Sequence, residues 1–348
     1  MGFWQGKKVL VTGHTGFKGA WLSELLLGRG ADVHGIALPP EDDASLYGQL
    51  KLDTRMSGTF HDIRDAAGVL REVATFKPDI VLHLAAQALV RRSYKDPVGN
   101  WATNVMGTVH LLDALHRLER PVTAIVVTTD KVYENNEWAY AYRETDPLGG
   151  YDPYSASKAA TELVSASWRR SFGENGLKIA TARAGNVIGG GDWAEDRLVP
   201  DIIRALRDGK PIKIRNPASI RPWQHVLDPL NGYLTLAERL HGAEDGSFQS
   251  GYNFGPEPAD IFSVRKLAET ILNHWPGEWI DASDPQAVHE AGRLSLSIDK
   301  ARCELDWAPV WRFDDAIRQT VDWYRSVADG ADPLEITRAQ IAAFEAAG

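Results

Sequence analysis

The chain has 348 residues, a formal net charge of -9 at pH 7 and one cysteine, Cys303. The acidic balance argues against a nucleic-acid partner, because faces that bind phosphate backbones gather lysine and arginine. One cysteine excludes a disulfide framework or a multi-cysteine metal site and fits a reducing cytoplasm. With no apolar run of membrane-spanning length and no room for a signal peptide before the first strand, a cytoplasmic protein off the membrane, working on small molecules, is expected.

Lys8-Val9-Leu10-Val11-Thr12 reads as a strand that stops at a glycine-rich turn. Beyond it Trp21, Leu22, Leu25 and Leu26 recur at helical spacing, and Gly28 and Gly30 end the helix. Asp32 to Ala37 is the second strand, with helix expected over 65–76, strand over 80–84, helix over 100–118, strand over 124–128, helix over 153–172 and strand over 178–183. Strands and helices alternating at these lengths imply a Rossmann-type doubly wound parallel sheet covered on both faces. Past Arg183 the pattern breaks into Gly189-Gly190-Gly191-Asp192-Trp193 and proline-punctuated segments, with helices expected near 197–208, 263–273 and 314–325. This predicts a dinucleotide-binding domain over 1–185 and a smaller, loop-rich substrate lobe over 186–348. Of the twelve tryptophans, Trp138, Trp193 and Trp223 fall in expected loops, where they either wedge irregular segments together or stack on a sugar or base ring.

The turn after the first strand, Gly13-His14-Thr15-Gly16-Phe17-Lys18-Gly19, has the spacing G-x-x-G-x-x-G and opens the first helix. Glycines there allow a tight turn and let a pyrophosphate approach backbone N–H groups at a helix N-terminus, which predicts dinucleotide binding. At the end of the second strand, where a carboxylate normally grips the cofactor ribose, stands Leu38-Pro39-Pro40. Glu41, Asp42 and Asp43 follow, with no basic residue before Lys51. A 2′-phosphate finds no partner in that stretch, so NAD is favoured over NADP, and the missing carboxylate predicts loose binding. Asp62-Ile63 after the third strand is suited to the adenine, with a helix N-cap as the competing role for Asp62. Leu84-Ala85-Ala86 offers small residues where a cofactor crosses the sheet edge.

Thr128-Thr129-Asp130-Lys131-Val132-Tyr133 follows the fifth strand, and Tyr154-Ser155-Ala156-Ser157-Lys158 opens the next helix. Tyr154 and Lys158, four apart, share a helix face, so the ammonium can favour the phenolate and Tyr154 can take a proton from an alcohol. That spacing alone is weak, and its position after the fifth strand gives it force. Thr129 can bond the same hydroxyl. Asp130 and Lys131 add an acid and a base that plain oxidation does not need, which points to a second chemical step.

Together, Gly13-x-x-Gly16-x-x-Gly19, Asn104, Thr129 and Tyr154-x-x-x-Lys158 resemble the extended short-chain dehydrogenase/reductase family over nearly the whole chain. Within it, Thr129-Asp130 followed by a charged residue looks like the nucleotide-sugar 4,6-dehydratases, in which glutamate usually stands where this chain has Lys131. The string Thr128 to Trp138, the glycine turn and Arg221-Pro222-Trp223-Gln224-His225-Val226 are similar to the members acting on CDP-glucose. The resemblance implies NAD as cofactor, held also by Asn104, and an early step toward bacterial surface deoxysugars. It also implies a homodimer built on the helices over 100–118 and 153–172. It places Asn186 at a substrate contact and Arg197, Leu198 and Arg221 at the pyrophosphate or base, while Gln87, just after the Ala85-Ala86 strand end, is expected to face the sugar. Arg215 and Arg293 read equally as diphosphate ligands or solvated surface. Lys131 is expected to be the base that removes the C5 proton, or else a fixed cation with Glu134 or water as base. A 4-epimerase or decarboxylase on the same scaffold needs Tyr154 and Lys158 but not the Asp130/Lys131 pair, and a non-catalytic NAD-binding protein needs none of them.

Overall fold

The computed structural model describes residues 2–42, 44–173, 176–283 and 292–348, so Asp43 lies outside the described residues. Runs of valine, isoleucine and alanine without polar alternation belong in strands buried on both faces. Such runs form β1 (Lys8–Thr12), β4 (Ile80–His83), β5 (Val122–Val127) and β6 (Leu177–Ala184), with β2 (Asp32–Ala37) and β3 (Ser57–Phe60) completing one side. A seventh strand, Gly251–Phe254, pairs with β6, giving the order 251–254, β6, β5, β4, β1, β2, β3 with every pairing parallel. The order reverses between β1 and β4, and in open α/β sheets the crevice at such a point, outside the carboxyl ends of the strands, takes the ligand.

Helices cover both faces, as parallel strands require. One apolar layer gathers Val69 and Val73 of the Ala66–Phe76 helix and Leu111, Leu112 and Leu115 of the Gly107–His116 helix. The other joins helix α1 (Phe17–Gly28) to helices of the second half of the chain through Trp21, Leu25, Ile202, Leu230, Leu234, Ile317 and Trp323. Residues after 185 thus contribute a strand and part of a covering layer. Among the described residues, no helix is long and apolar enough to cross a membrane.

Two local departures from the expected elements bear on the site. The helix expected over 100–118 is Pro97–Trp101, then a single wide π-turn over Ala102–Met106, then Gly107–His116. π-Turns insert one residue and recur at functional sites; this one carries Asn104, which is buried. The N-cap before Ala66 is Asp65, whose carboxylate accepts from the Ala67 and Gly68 N–H groups, so capping does not occupy Asp62.

Candidate active site

The glycine turn is as tight as its spacing implies. Gly13 has φ +77°, and a Cβ there would lie 2.8 Å from the Ala85 nitrogen; one on Gly19 would lie 2.1 Å from the Gly13 carbonyl oxygen. Only glycine lets the turn, β4 and α1 meet this closely. A Cβ on Gly16 would meet nothing nearer than 3.5 Å, and no side chain caps α1 there. The helix N-terminus is therefore open to an anion, which fits a dinucleotide pyrophosphate. Thr12 Oγ1 accepts from the Ala85 N–H at 3.1 Å, and Thr15 Oγ1 donates to the Leu38 carbonyl at 2.9 Å. These bonds draw the ends of β1, β2 and β4 into one rim with Leu84 and Ala85.

At the adenosine end, counting residues along the chain misses two cations that folding brings in. Arg92 pairs with Glu41 at 3.2 Å, and Arg64 with Asp62 at 2.6 Å. Each meets a carboxylate, so the local balance still does not favour a 2′-phosphate. The Arg64 hydrogen bond holds the Asp62 carboxyl below its usual range. Ile63 is buried beside Gly107, where a Cβ would meet its Cδ1 at 2.5 Å.

The catalytic segment follows the end of β5. Thr129 has extended backbone and caps a short 3₁₀ turn, Asp130–Val132, its Oγ1 accepting from the Lys131 N–H at 3.4 Å. The same hydroxyl donates to Asp130 Oδ1 at 2.9 Å and is hydrogen-bonded to Tyr154. Asp130 is wholly buried, and its Oδ2 has no hydrogen-bond partner among the described residues. Lys131 Nζ stands 3.7 Å from Asp130 Oδ1 with its side chain 29 % exposed.

Tyr154 and Lys158 occupy the first two turns of the Pro153–Phe172 helix, which starts at an Asp152 cap with proline in its first turn. Lys158 Nζ donates to the Val127 carbonyl at 2.8 Å, and burial pushes its pKa down to about 8 although the Glu162 carboxylate raises it. Burial also pushes Tyr154 up to about 12; its hydrogen bond with Thr129 and the Arg197 charge act the other way, and Asp130 reinforces the rise.

Asn104 and Gln87 are tied into the protein. Asn104 Nδ2 donates to Ser157 Oγ at 2.9 Å and its Oδ1 accepts from the Gln87 N–H at 2.8 Å, while the Gln87 amide bonds Leu89 at 3.1 Å and 2.5 Å. They join the loop after β4 to the catalytic helix. Ala86 lies in that loop, next to Gln87.

Toward the second half, Arg197 stands at the N-cap of the Leu198–Arg207 helix, 3.3 Å from Asp192, close enough to influence Tyr154. Leu198 is the first residue of that helix. Asn186 adopts φ +46° and leaves its buried side-chain nitrogen without a hydrogen-bond partner among the described residues. Arg221 lies on the Ile220–Arg221 strand, which bridges Arg293, and donates to the carbonyls of Ile220 and Gly292 at 2.9 Å and 3.3 Å. Arg215 pairs with Asp196 at 3.0 Å. Trp193 and Trp223 act as wedges: Trp193 packs edge-on against Tyr324 with centroids 5.1 Å apart, and Trp223 is buried. Trp138 stays partly exposed over Tyr142.

Reading the sequence missed Lys18. Its position inside the glycine motif gives no hint of direction, yet its ammonium reaches Tyr233 Oη at 3.3 Å, in the same electrostatic neighbourhood as Asp130, Lys158, Asp192 and Arg197. Burial, then the charges of Arg197 and Lys158, push its pKa down to about 7.

A family model for GDP-mannose 4,6 dehydratase matches residues 10–320 of the chain. A CDP-glucose 4,6-dehydratase of Salmonella typhimurium is 44% identical over 99% of this chain and 98% of its own length. A dTDP-glucose 4,6-dehydratase of Xanthomonas campestris pv. campestris is 29% identical over 94% of this chain and 97% of its own. Among solved structures, the dTDP-glucose 4,6-dehydratase of Streptomyces venezuelae with NAD and TYD bound superposes with a TM-score of 0.80 at 28% identity, covering 94% of this chain and 99% of that one. A UDP-glucose 4-epimerase of Thermus thermophilus in complex with NAD gives 0.78 at 26% identity, covering 91% and 99%.

Proposed function

The chain belongs to the GDP-mannose 4,6 dehydratase family, and from that premise we propose that it removes water from CDP-glucose to give CDP-4-keto-6-deoxyglucose with NAD as a recycled cofactor. The observation that carries this reading is Asp130: a buried carboxyl with one oxygen unengaged, hydrogen-bonded to the threonine that also bonds Tyr154. Oxidation alone has no use for an acid there. The extent of the likeness to a CDP-glucose enzyme supports the choice of nucleotide.

Gly13, Thr15, Gly16, Phe17 and Gly19 would hold the NAD pyrophosphate, Asp62 and Ile63 the adenine, and Leu84, Ala85 and Ala86 the edge the cofactor crosses. Asn104 would support that edge, and Tyr154 and Lys158 would meet the nicotinamide ribose. When bound, NAD would supply the hydride acceptor for C4 and the hydride donor for C6, and its positive charge would favour the Tyr154 anion.

Tyr154, with Thr129, takes the proton of the 4-hydroxyl. The resulting ketone acidifies C5; Lys131 removes that proton to leave an enolate, whose electron pair then forms the C5–C6 double bond as the C6–O bond breaks, and the same lysine returns a proton to C5 when hydride reaches C6. Asp130 gives its proton to the departing hydroxyl, which leaves as water. Gln87 and Asn186 border the sugar, and Arg197, Leu198, Arg221, Arg215 and Arg293 serve the nucleotide end. Residues 1–185 carry the cofactor and the catalytic helix, residues 186–348 mainly the nucleotide. A protein using these two metabolites works in the cytoplasm.

A homodimer accompanies this reading. Val98, Trp101, Met106 and Leu163 are exposed on the adjacent helical segments 97–116 and 153–172.

Incubation with NAD and, separately, CDP-, dTDP-, UDP- and GDP-glucose, read by mass spectrometry, tests the reaction. CDP-glucose is expected to lose one water fastest, and no loss from any of the four overturns the assignment. The role of Lys131 is checked in D2O. Lys131→Met is expected to abolish deuterium entry at C5, and a normal exchange rate in that variant would remove Lys131 as the base.

A further inference from the structure

Glu162 lies one turn beyond Lys158 on the same face of the catalytic helix and is buried. Its carboxylate accepts four hydrogen bonds from three side chains: Thr128 Oγ1 at 2.5 Å, Thr181 Oγ1 at 2.6 Å, and Arg183 Nε and Nη2 at 3.0 Å and 2.9 Å. Arg183, on β6 and also buried, donates from its remaining nitrogen to Tyr133 Oη at 2.8 Å and to the Glu144 carbonyl at 3.3 Å. Tyr133 in turn donates to Asn253 Oδ1 at 2.7 Å on the seventh strand.

Thr128 immediately precedes Thr129-Asp130-Lys131, and Tyr133 follows that segment after Val132. One buried ion pair therefore grips both ends of the segment that carries the proposed acid and base. Stability alone is a weak reason for such a pair, since desolvation offsets most of the attraction and apolar side chains of similar volume commonly do as well. Apolar residues would supply neither four acceptor contacts to β6 and to Thr128 just past β5 nor a negative charge beside Lys158.

We propose that Glu162, backed by Arg183, is a positioning residue of the dehydratase: it fixes Thr129, Asp130 and Lys131 between two anchored ends and keeps Lys158 in its ammonium form. This rests on the catalytic roles proposed above for those four residues. Around Lys158, burial works against the charge, and Lys18 from α1 and His83 from β4 lie in its field but discharge below it. Glu162, from its own helix, is the carboxylate that opposes burial. Behind Glu162 stand Arg183 on β6 and Arg169 on the same helix. The Thr128 and Thr181 hydroxyls and the Arg183 guanidinium hold Glu162 itself ionised against burial.

The test uses the full chain with NAD bound. Glu162→Gln leaves the Arg183 cation buried without its partner and is prone to misfold, so the deciding variant is the double replacement Glu162→Gln with Arg183→Met, which removes both charges. Two readouts are taken: kcat against pH on CDP-glucose, and the titration midpoint of Lys158 by NMR of 13C-labelled lysine, which needs no turnover. The double variant is expected to lose about tenfold or more in kcat at pH 7 with little change in KM, the size of a lost positioning contact. Its Lys158 midpoint and the alkaline limb of kcat should move together to lower pH. Glu162→Asp, which keeps the charge, should restore the limb. A folded double variant with wild-type kcat and an unmoved Lys158 midpoint would show that the pair only holds the sheet together. Should the wild-type chain dehydrate none of the nucleotide-glucoses, the functional reading fails, while the NMR midpoint still decides the electrostatic half of this inference.

Discussion

An acid that protonates a leaving hydroxyl must meet it with an oxygen not already bonded to the protein. Asp130 meets that condition at Oδ2 while Thr129 holds Oδ1 at 2.9 Å. Asp130→Asn preserves the shape and removes the proton, so dehydration is expected to fall by roughly 10²–10⁴, the usual worth of a general acid. C5 deuterium exchange should persist, because it precedes departure of the hydroxyl. Product formation at the wild-type rate in this variant would exclude Asp130 as the acid. Lys158 sets a second expectation. A lysine held near 8 is charged below that pH and neutral above it, so kcat should decline as pH rises through about 8. A log kcat profile from pH 6 to 10 checks this, and a profile still flat at pH 10 would mean that the ammonium is not required. Lys18, near 7, discharges earlier; Lys18→Met should leave the Lys158 limb in place, which separates the two lysines.

At the scale of elements, the glycine turn makes a graded prediction, because the three glycines differ in what a methyl would strike. Gly19→Ala puts carbon 2.1 Å from the Gly13 carbonyl oxygen, a rigid backbone atom, and must spread the turn away from α1. Gly16→Ala has ordinary contact at 3.5 Å. NAD affinity by fluorescence titration should therefore drop severely for Gly19→Ala and much less for Gly16→Ala, with the first also the less thermally stable. Equal affinities in the two variants would show that turn geometry does not govern cofactor binding. This motif was legible because glycine spacing after a first strand translates directly into backbone geometry. The Pro153–Phe172 helix was legible to the residue for a similar reason, since the Asp152 cap and the proline mark its start. The break at Ala102–Met106 was hidden: a π-turn has no composition of its own, and Asn104 earns its place only through Ser157 and Gln87, distant in sequence. The seventh strand and the Leu227–Gly242 helix escaped notice because they lie past the point where alternation stops. Lys18 and Glu162 were unreadable in their roles, because each depends on side chains from elements far along the chain.

At the scale of the whole molecule, exposed apolar side chains are normal singly and informative when they share a face. Val98 and Trp101 are 78% and 42% exposed, and Met106 is 46% exposed five residues further on. In an unbroken α-helix a step of five turns a residue well off the face; a wide turn such as that over Ala102–Met106 takes up one extra residue and reduces that rotation. Leu163, 61% exposed, stands on the adjacent Pro153–Phe172 helix. The two helical segments pack together and both carry exposed apolar side chains; a two-fold dimer would bury them against its own copy, so any charge introduced there would enter the interface twice. Leu163→Arg is expected to convert a dimer into a 38.4 kDa monomer by sedimentation, since two unpaired guanidinium groups would have to be desolvated on association. Leu163 is exposed and is none of the residues proposed to hold the cofactor, so NAD affinity should hold while dimerisation is lost. A wild-type chain that sediments as a monomer at micromolar concentration would rule out this surface as a dimer interface.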